Sequence, residues 1–132
     1  MNSQLVALLG LINEKNEVLI SLRENRTDYN GYWEFPGGKV EKHETTYQAL
    51  VREIKEELSI DISSDCIAPL TFALDHDTNI QTILLLHVCR KWRGVPVSLL
   101  GQRIEWVKPI NLIKYKMPQQ NSFLNSMLRD WV

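Results

Sequence analysis

The sequence predicts an α/β (α+β) layer sandwich with a central mixed sheet, and three features lead there. Strand-like and helix-like segments follow one another as strands, helix, strands, helix. A glycine pair, Gly37-Gly38, leads within a few residues into a helix that bears several carboxylates. The run Leu5 to Ile12 is apolar almost throughout, as in a strand buried on both faces. With 132 residues, 44% of them hydrophobic, the chain is long enough to bury a core and too short for two large domains. No repeat, low-complexity tract or Pro/Ser-rich linker divides it, so residues 1–132 are expected to pack as one unit.

Gln4 to Ile12 reads as the first strand and Glu17 to Leu22 as the second, with turn chemistry at Glu14-Lys15-Asn16 between them. That pattern predicts an antiparallel hairpin. Glu24 to Gly31, rich in Asn, Asp and Gly, reads as a loop, and Tyr32-Trp33-Glu34-Phe35 as a short aromatic strand stopped by Pro36-Gly37-Gly38. The glycine pair reads as a tight bend or a cradle for a ligand. Thr45 and Gln48 have capping-box spacing, and the residues after them favour a helix, predicted from about Thr46 to Leu58. Ile67 to Leu74 and Thr82 to Cys89 read as strands, Arg93-Gly94-Val95-Pro96 as a turn, and Ile104 to Val107 as a further strand. Phe123, Leu124, Met127, Leu128 and Trp131 recur at helical spacing near the end.

Composition removes several classes of function. Fifteen Lys and Arg against sixteen Asp and Glu give a formal net charge of -1, so no strong field draws the chain to nucleic acid or to an anionic membrane. An anionic ligand must then be held by local chemistry. Cys66 and Cys89 lack metal-site or disulfide-scaffold spacing and read as small core residues in a reducing cytoplasm. The first residues lack a basic leader, and the apolar run there is too short to span a bilayer. A monomer is expected, with no membrane and no stable nucleic-acid partner.

The chemistry concentrates on the predicted central helix. Tyr47, Leu50, Val51, Ile54 and Leu58 share one arc, the stripe that packs on a sheet, while Glu53, Glu56 and Glu57 share a neighbouring arc. Glu53 and Glu57 are a like-charged i,i+4 pair, which weakens a helix unless something cationic lies between them. Arg52 and Lys55 are expected on a different sector, so a hard divalent cation, Mg²⁺ with Mn²⁺ as the other choice, fits the oxygen ligands. Taken alone the three carboxylates read more readily as a solvated acidic face with an Arg52–Glu56 pair than as a metal site. Their place after the glycine bend separates the two readings, because a loop whose backbone admits phosphate then feeds a carboxylate helix.

Gly38, Glu44, Arg52, Glu53, Ile54, Glu56, Glu57 and Ile60 stand in the register of the box of the Nudix hydrolase family, which this sequence resembles; Ser59 occupies the family's glycine position. Ser59 is therefore expected in a strained helix C-cap with the site retained. The stretch from Trp33 to Glu41 is similar to the MutT type within that family, and the likeness runs more loosely over nearly the whole chain, through Trp92-Arg93-Gly94, Gly101-Gln102, Glu105-Trp106 and Pro118-Gln119-Gln120-Asn121. The resemblance implies a Nudix-type α/β/α sandwich. It also implies Mg²⁺-dependent hydrolysis of 8-oxo-dGTP or a related noncanonical nucleoside triphosphate to the monophosphate and pyrophosphate, which protects replication.

The resemblance further implies roles for single residues. Gly38, Glu53, Glu56 and Glu57 would hold the metal, with Glu53 the first choice for general base. Arg52 and Glu44 would orient loop and helix, and Arg23, Phe35, Gly37, Gly38, Lys39 and Asn121 would meet the nucleotide. Three of these have a plainer reading: Phe35 as core, Arg23 as a solvated charge, Asn121 as the N-cap of the last helix. Leu100 stands where the MutT type carries a further metal-associated Glu, and Glu105, Asp75 and Asp77 are the candidate replacements. No arginine matches the one expected near Thr82. Those departures leave open a Nudix hydrolase for another nucleotide, such as a pyrimidine triphosphate, or a nucleotide-binding module with little turnover.

Overall fold

The structure is a computed structural model, and it describes residues 2–24, 29–76 and 79–132. The middle of the expected 24–31 loop and Asp77 lie outside the described residues. Seven strands and two α-helices are present among them: β1 (Asn2–Leu11), β2 (Val18–Leu22), β3 (Trp33–Glu34), β4 (Gly37–Lys39), α1 (Thr46–Leu58), β5 (Ile67–His76), β6 (Ile80–Cys89), β7 (Ile104–Val107) and α2 (Asn121–Trp131). Short 3₁₀ turns at Ser64–Cys66 and Pro109–Lys114 were not anticipated from sequence pattern.

The expected mixed sheet has the order β4-β1-β6-β5, with β1 and β6 parallel and the other pairs antiparallel. A second, antiparallel sheet of order β3-β2-β7 stands beside it. This corrects the hairpin expected for the first two strands. β1 and β2 belong to different sheets, and among the described residues the only backbone pairing between their segments is an isolated bridge between Ile12, just after β1, and Val18. The turn chemistry is real, since the Asn13 side-chain oxygen accepts from the Lys15 and Glu17 amides, but β1 finds better partners. Its ten-residue register with β6 and its pairing with β4 occupy both edges.

Two apolar layers close on β1 from opposite sides, which makes the sandwich α/β/α. Ala7, Leu9 and Leu11 meet Ala49, Leu50, Ile54 and Leu58 of α1. On the other face Leu84, Leu86 and Val88 of β6, with Ile20, pack against Leu124 and Leu128 of α2. Period-2 alternation in the strands and i,i+4 spacing in the helices give each element a face for its own core. No helix among the described residues is long and apolar enough to cross a membrane.

Candidate active site

Helix α1 begins as the sequence predicts. The Gln48 amide donates to Thr45 Oγ1 at 3.1 Å and the Thr45 amide donates to Gln48 Oε1 at 2.8 Å, a reciprocal capping box. At its other end Ser59 adopts the left-handed conformation (φ 60, ψ 31), and its amide donates to the Lys55 carbonyl at 3.1 Å. Serine therefore performs the turn that glycine makes without strain. With both ends set, the acidic arc of α1 faces β4, where the glycine pair lies.

Gly37 and Gly38 form the strand β4 rather than a free bend, paired with Leu8 and Ala7 of β1. Gly37 has φ 140, and a Cβ there would stand 2.1 Å from the Ala7 carbonyl oxygen. A Cβ on Gly38 would fall 2.6 Å from the Glu53 carboxyl carbon. Both glycines are thus required by close approach, the first to backbone and the second to a carboxylate. The Gly37 amide donates to Glu57 Oε2 at 3.2 Å, tying the strand to the acidic arc.

Arg52 organises the far side of that arc. Its Nη2 donates to Glu44 Oε1 at 2.6 Å and to the Lys39 carbonyl at 3.3 Å, its Nε to Glu44 Oε2 at 3.2 Å, and its Nη1 to Glu53 Oε1 at 2.8 Å. Glu44 in turn accepts from the Glu41 amide at 2.9 Å. The loop from Lys39 to Glu44 is therefore clamped to α1 by one guanidinium, and the Arg52 bond holds the Glu44 carboxyl below the usual carboxylate range. Arg52 was expected to project away from the acidic arc; instead its fork reaches back to Glu53.

Burial pushes the Glu57 carboxyl up to about 8, with the neighbouring Glu53 charge as the next cause; the Gly37 amide works in the opposite direction. Glu56 is 60% exposed at the rim, with its Oε2 3.9 Å from Arg52 Nη1. Among the described residues no three His, Cys, Asp or Glu side chains converge as a closed metal site. The donor set nevertheless fits a hard cation. Three carboxylates and a glycine backbone border one cleft, and the pair most strongly coupled, Glu57 pushed up by burial and by the Glu53 charge, is one that a cation between them would relieve.

The cleft has a volume of about 550 Å³ and runs from these carboxylates across the sheet toward α2. Gly37, Gly38, Lys39, Glu53, Glu56, Glu57, Arg23, Phe35 and Asn121 all line it, whereas Arg52 and Glu44 stand behind the carboxylates. Phe35 is at once core and wall, only 1% exposed. Arg23 is ion-paired with Glu34, a cleft residue that the sequence did not single out. Asn121 does not cap α2: Gln120 is the N-cap and Asn121 the first helical residue. It is 5% exposed, it borders the cleft, and its side-chain amide has no hydrogen-bond partner among the described residues.

Leu100 lies at the mouth of the cleft, 60% exposed. Neither described candidate for the missing Glu joins the carboxylates. Glu105 accepts from the Tyr115 hydroxyl at 2.8 Å and lies outside the cleft lining. Asp75 sits on β5, three strands from β4, and accepts from Gln120 Nε2 at 3.3 Å.

An α/β/α sandwich with a polar cleft, glycine backbone and clustered carboxylates at one end has the chemistry to hold a phosphate anhydride beside a hard cation. The NUDIX domain model matches residues 1–127, and the chain belongs to the Nudix family, as a pyrophosphohydrolase. It is 33% identical over 119 residues to the 8-oxo-dGTP diphosphatase of Escherichia coli K12, covering 86% of this chain and 87% of that protein. It is 30% identical over 111 residues to the CTP pyrophosphohydrolase of the same strain, covering 82% and 78%. Among solved structures, one from work on MutT of Aliivibrio salmonicida and Vibrio cholerae superposes with a TM-score of 0.85 at 27% identity, covering 99% of this chain and all of that one. Nudix hydrolases generally use a divalent metal ion.

Proposed function

We propose that residues 1–132 form one Nudix domain that hydrolyses 8-oxo-dGTP or a related noncanonical nucleoside triphosphate to the monophosphate and pyrophosphate, cleansing the nucleotide pool in the cytoplasm. The observation that carries this reading is the juxtaposition, in one cleft, of the glycine backbone against the carboxylates, Gly38 at Glu53 and Gly37 at Glu57, with the side-chain amide of Asn121, which has no hydrogen-bond partner among the described residues. One end suits phosphate and the other suits a base.

Glu53, Glu56, Glu57 and the Gly38 carbonyl would hold Mg²⁺, or Mn²⁺ in its place. When bound, such an ion neutralises phosphate oxygens and acidifies a water. Glu53, steered by Arg52, takes the proton from the attacking water, and Glu44 fixes Arg52 in turn. Lys39 and Arg23 lend positive charge along the cleft, Phe35 gives it an apolar wall, and the Asn121 amide offers a donor and an acceptor to the base edge. Likeness to a CTP pyrophosphohydrolase, together with Leu100 at the mouth, favours a second reading in which a pyrimidine triphosphate is the substrate.

Pyrophosphate and phosphate release from 8-oxo-dGTP, dGTP, dCTP and dUTP, with and without Mg²⁺, tests these readings together. Mg²⁺-dependent pyrophosphate release greatest for 8-oxo-dGTP is expected, and dCTP as best substrate would install the second reading. No turnover with nucleotide still bound would overturn both in favour of a binding module.

A further inference from the structure

The sheet face beneath the cleft carries one polar row at its open end. The register sets Gln4 of β1 opposite Thr82 of β6, and Thr82 opposite Asp75 of β5. Gln4 Nε2 donates to Thr82 Oγ1 at 2.8 Å, and Asp75 Oδ2 accepts from Nε2 of Gln120, the residue before Asn121, at 3.3 Å. All three row residues line the cleft, and two positions further along β1 and β6 the floor turns apolar with Val6 and Leu84.

The bonds within the row do not exhaust it. Thr82 Oγ1 accepts from Gln4, which leaves its own proton to donate, and Asp75 Oδ1 has no partner among the described residues. Strand order separates Asp75 from Gly38 on β4 by three strand spacings, roughly 14 Å. A nucleotide whose phosphates meet β4 would extend its base toward this row. An ordinary solvated strand end would account for one such polar residue; three in register across three strands, Gln4 bonded to Thr82 and Asp75 to Gln120, all lining the cleft that Asn121 lines, have the form of a reading edge.

We propose that Gln4, Thr82 and Asp75 are specificity-determining residues for an amino-bearing nucleobase, with Asp75 accepting from the exocyclic amine and the Thr82 hydroxyl donating to the adjacent ring nitrogen or carbonyl. This rests on the nucleotide reading of the cleft. A carboxylate is an acceptor only, so a base that presents a carbonyl there loses a hydrogen bond and meets like polarity. In Asp75→Asn the Gln120 donor holds the amide oxygen and turns the amide nitrogen toward the base, so the preference is lost for guanine over hypoxanthine, which has only hydrogen in place of the amine, and moves to the carbonyl-bearing member for cytosine over uracil.

The test uses two base pairs differing at the amine: guanine against hypoxanthine, and cytosine against uracil. Binding of dGMP, dIMP, dCMP and dUMP to the full chain is measured by calorimetry, alongside KM and kcat for the four triphosphates with Mg²⁺. On the scaffold that binds, the amino member is expected to bind at least about tenfold tighter, with the difference carried in KM. Asp75→Asn should remove or reverse that ratio, and the near-isosteric Thr82→Val should weaken both members about tenfold; it carries the test if Asp75→Asn fails to fold. Equal affinity for both members in the unaltered protein, an unchanged ratio in Asp75→Asn or Thr82→Val at full affinity would overturn the proposal. Absence of binding by every monophosphate would do the same. Monophosphate binding with the predicted ratio but no hydrolysis would support the row and overturn the hydrolase reading.

Discussion

Glu53 is held from two sides, by Arg52 Nη1 at 2.8 Å and by the floor at Gly38, where a Cβ would fall 2.6 Å from its carboxyl carbon. A carboxylate constrained in this way presents a fixed oxygen to the cleft, as a positioned base or ligand must. Glu53→Gln keeps the shape and removes the charge, so turnover is expected to fall by at least about a thousandfold while the melting temperature does not drop. A loss within about tenfold, a barrier change of only about 1.4 kcal/mol, would remove Glu53 from the reaction. Asn121 makes a separate case, because its side-chain amide has no partner among the described residues and is not needed as a helix cap. Asn121→Ala should change kcat/KM ratios among bases more than it changes turnover of the poorest substrate; equal losses for every nucleotide would assign it to structure alone.

The elements show what was legible in the sequence. Helix α1 has the predicted boundaries because its signals are local: a capping box at one end, a stripe of apolar residues, a forced turn at Ser59. That Glu53, Glu56 and Glu57 share one arc was legible for the same reason, whereas their reading as a site rested on the glycine pair before them and on the resemblance to the Nudix box. The separation of β1 from β2 was not, since turn residues announce a reversal without saying which sheet each strand joins. The row of Gln4 and Thr82 was invisible, because residues 78 positions apart meet only through parallel pairing. Local strain yields a prediction in each direction. Ser59 has φ 60, so Ser59→Gly should stabilise the protein by about 1 kcal/mol, read as a rise of a few degrees in thermal melting. Gly37→Ala meets both a φ of 140 and the Ala7 carbonyl at 2.1 Å. That variant should lose about 3 kcal/mol or more, or fail to fold, whereas Gly38→Ala, which meets side-chain atoms of Glu53 rather than backbone, should fold and lose activity because it displaces that carboxylate from its held position.

At the scale of the whole molecule, the cleft trades stability for chemistry, and pH exposes the trade. In the folded, metal-free protein the Glu57 carboxyl is pushed up to about 8, against 4.5 for an ordinary glutamate. Between those values the folded chain holds a proton that the unfolded chain has released, so stability falls as pH rises through the window and levels above about 8. Glu44 acts outside this window, since its carboxyl is held low by Arg52 and its contribution is lost only under acid conditions. His87, buried with Nδ1 against the Leu85 carbonyl and Nε2 near Thr46 Oγ1, is held below its ordinary 6.5 and gives the opposite slope on the acid side of that value. From about pH 7 to 8 the Glu57 slope therefore stands clear of both. Thermal melts of the metal-free protein should show the midpoint falling over that range, and Glu57→Gln should flatten it and raise stability at pH 8. An ion binding the deprotonated carboxylate favours the folded state by mass action, so the gain in midpoint on adding Mg²⁺ should grow as pH rises through the same range. An identical pH slope in Glu57→Gln would show that the Glu57 proton is not what couples the cleft to the fold.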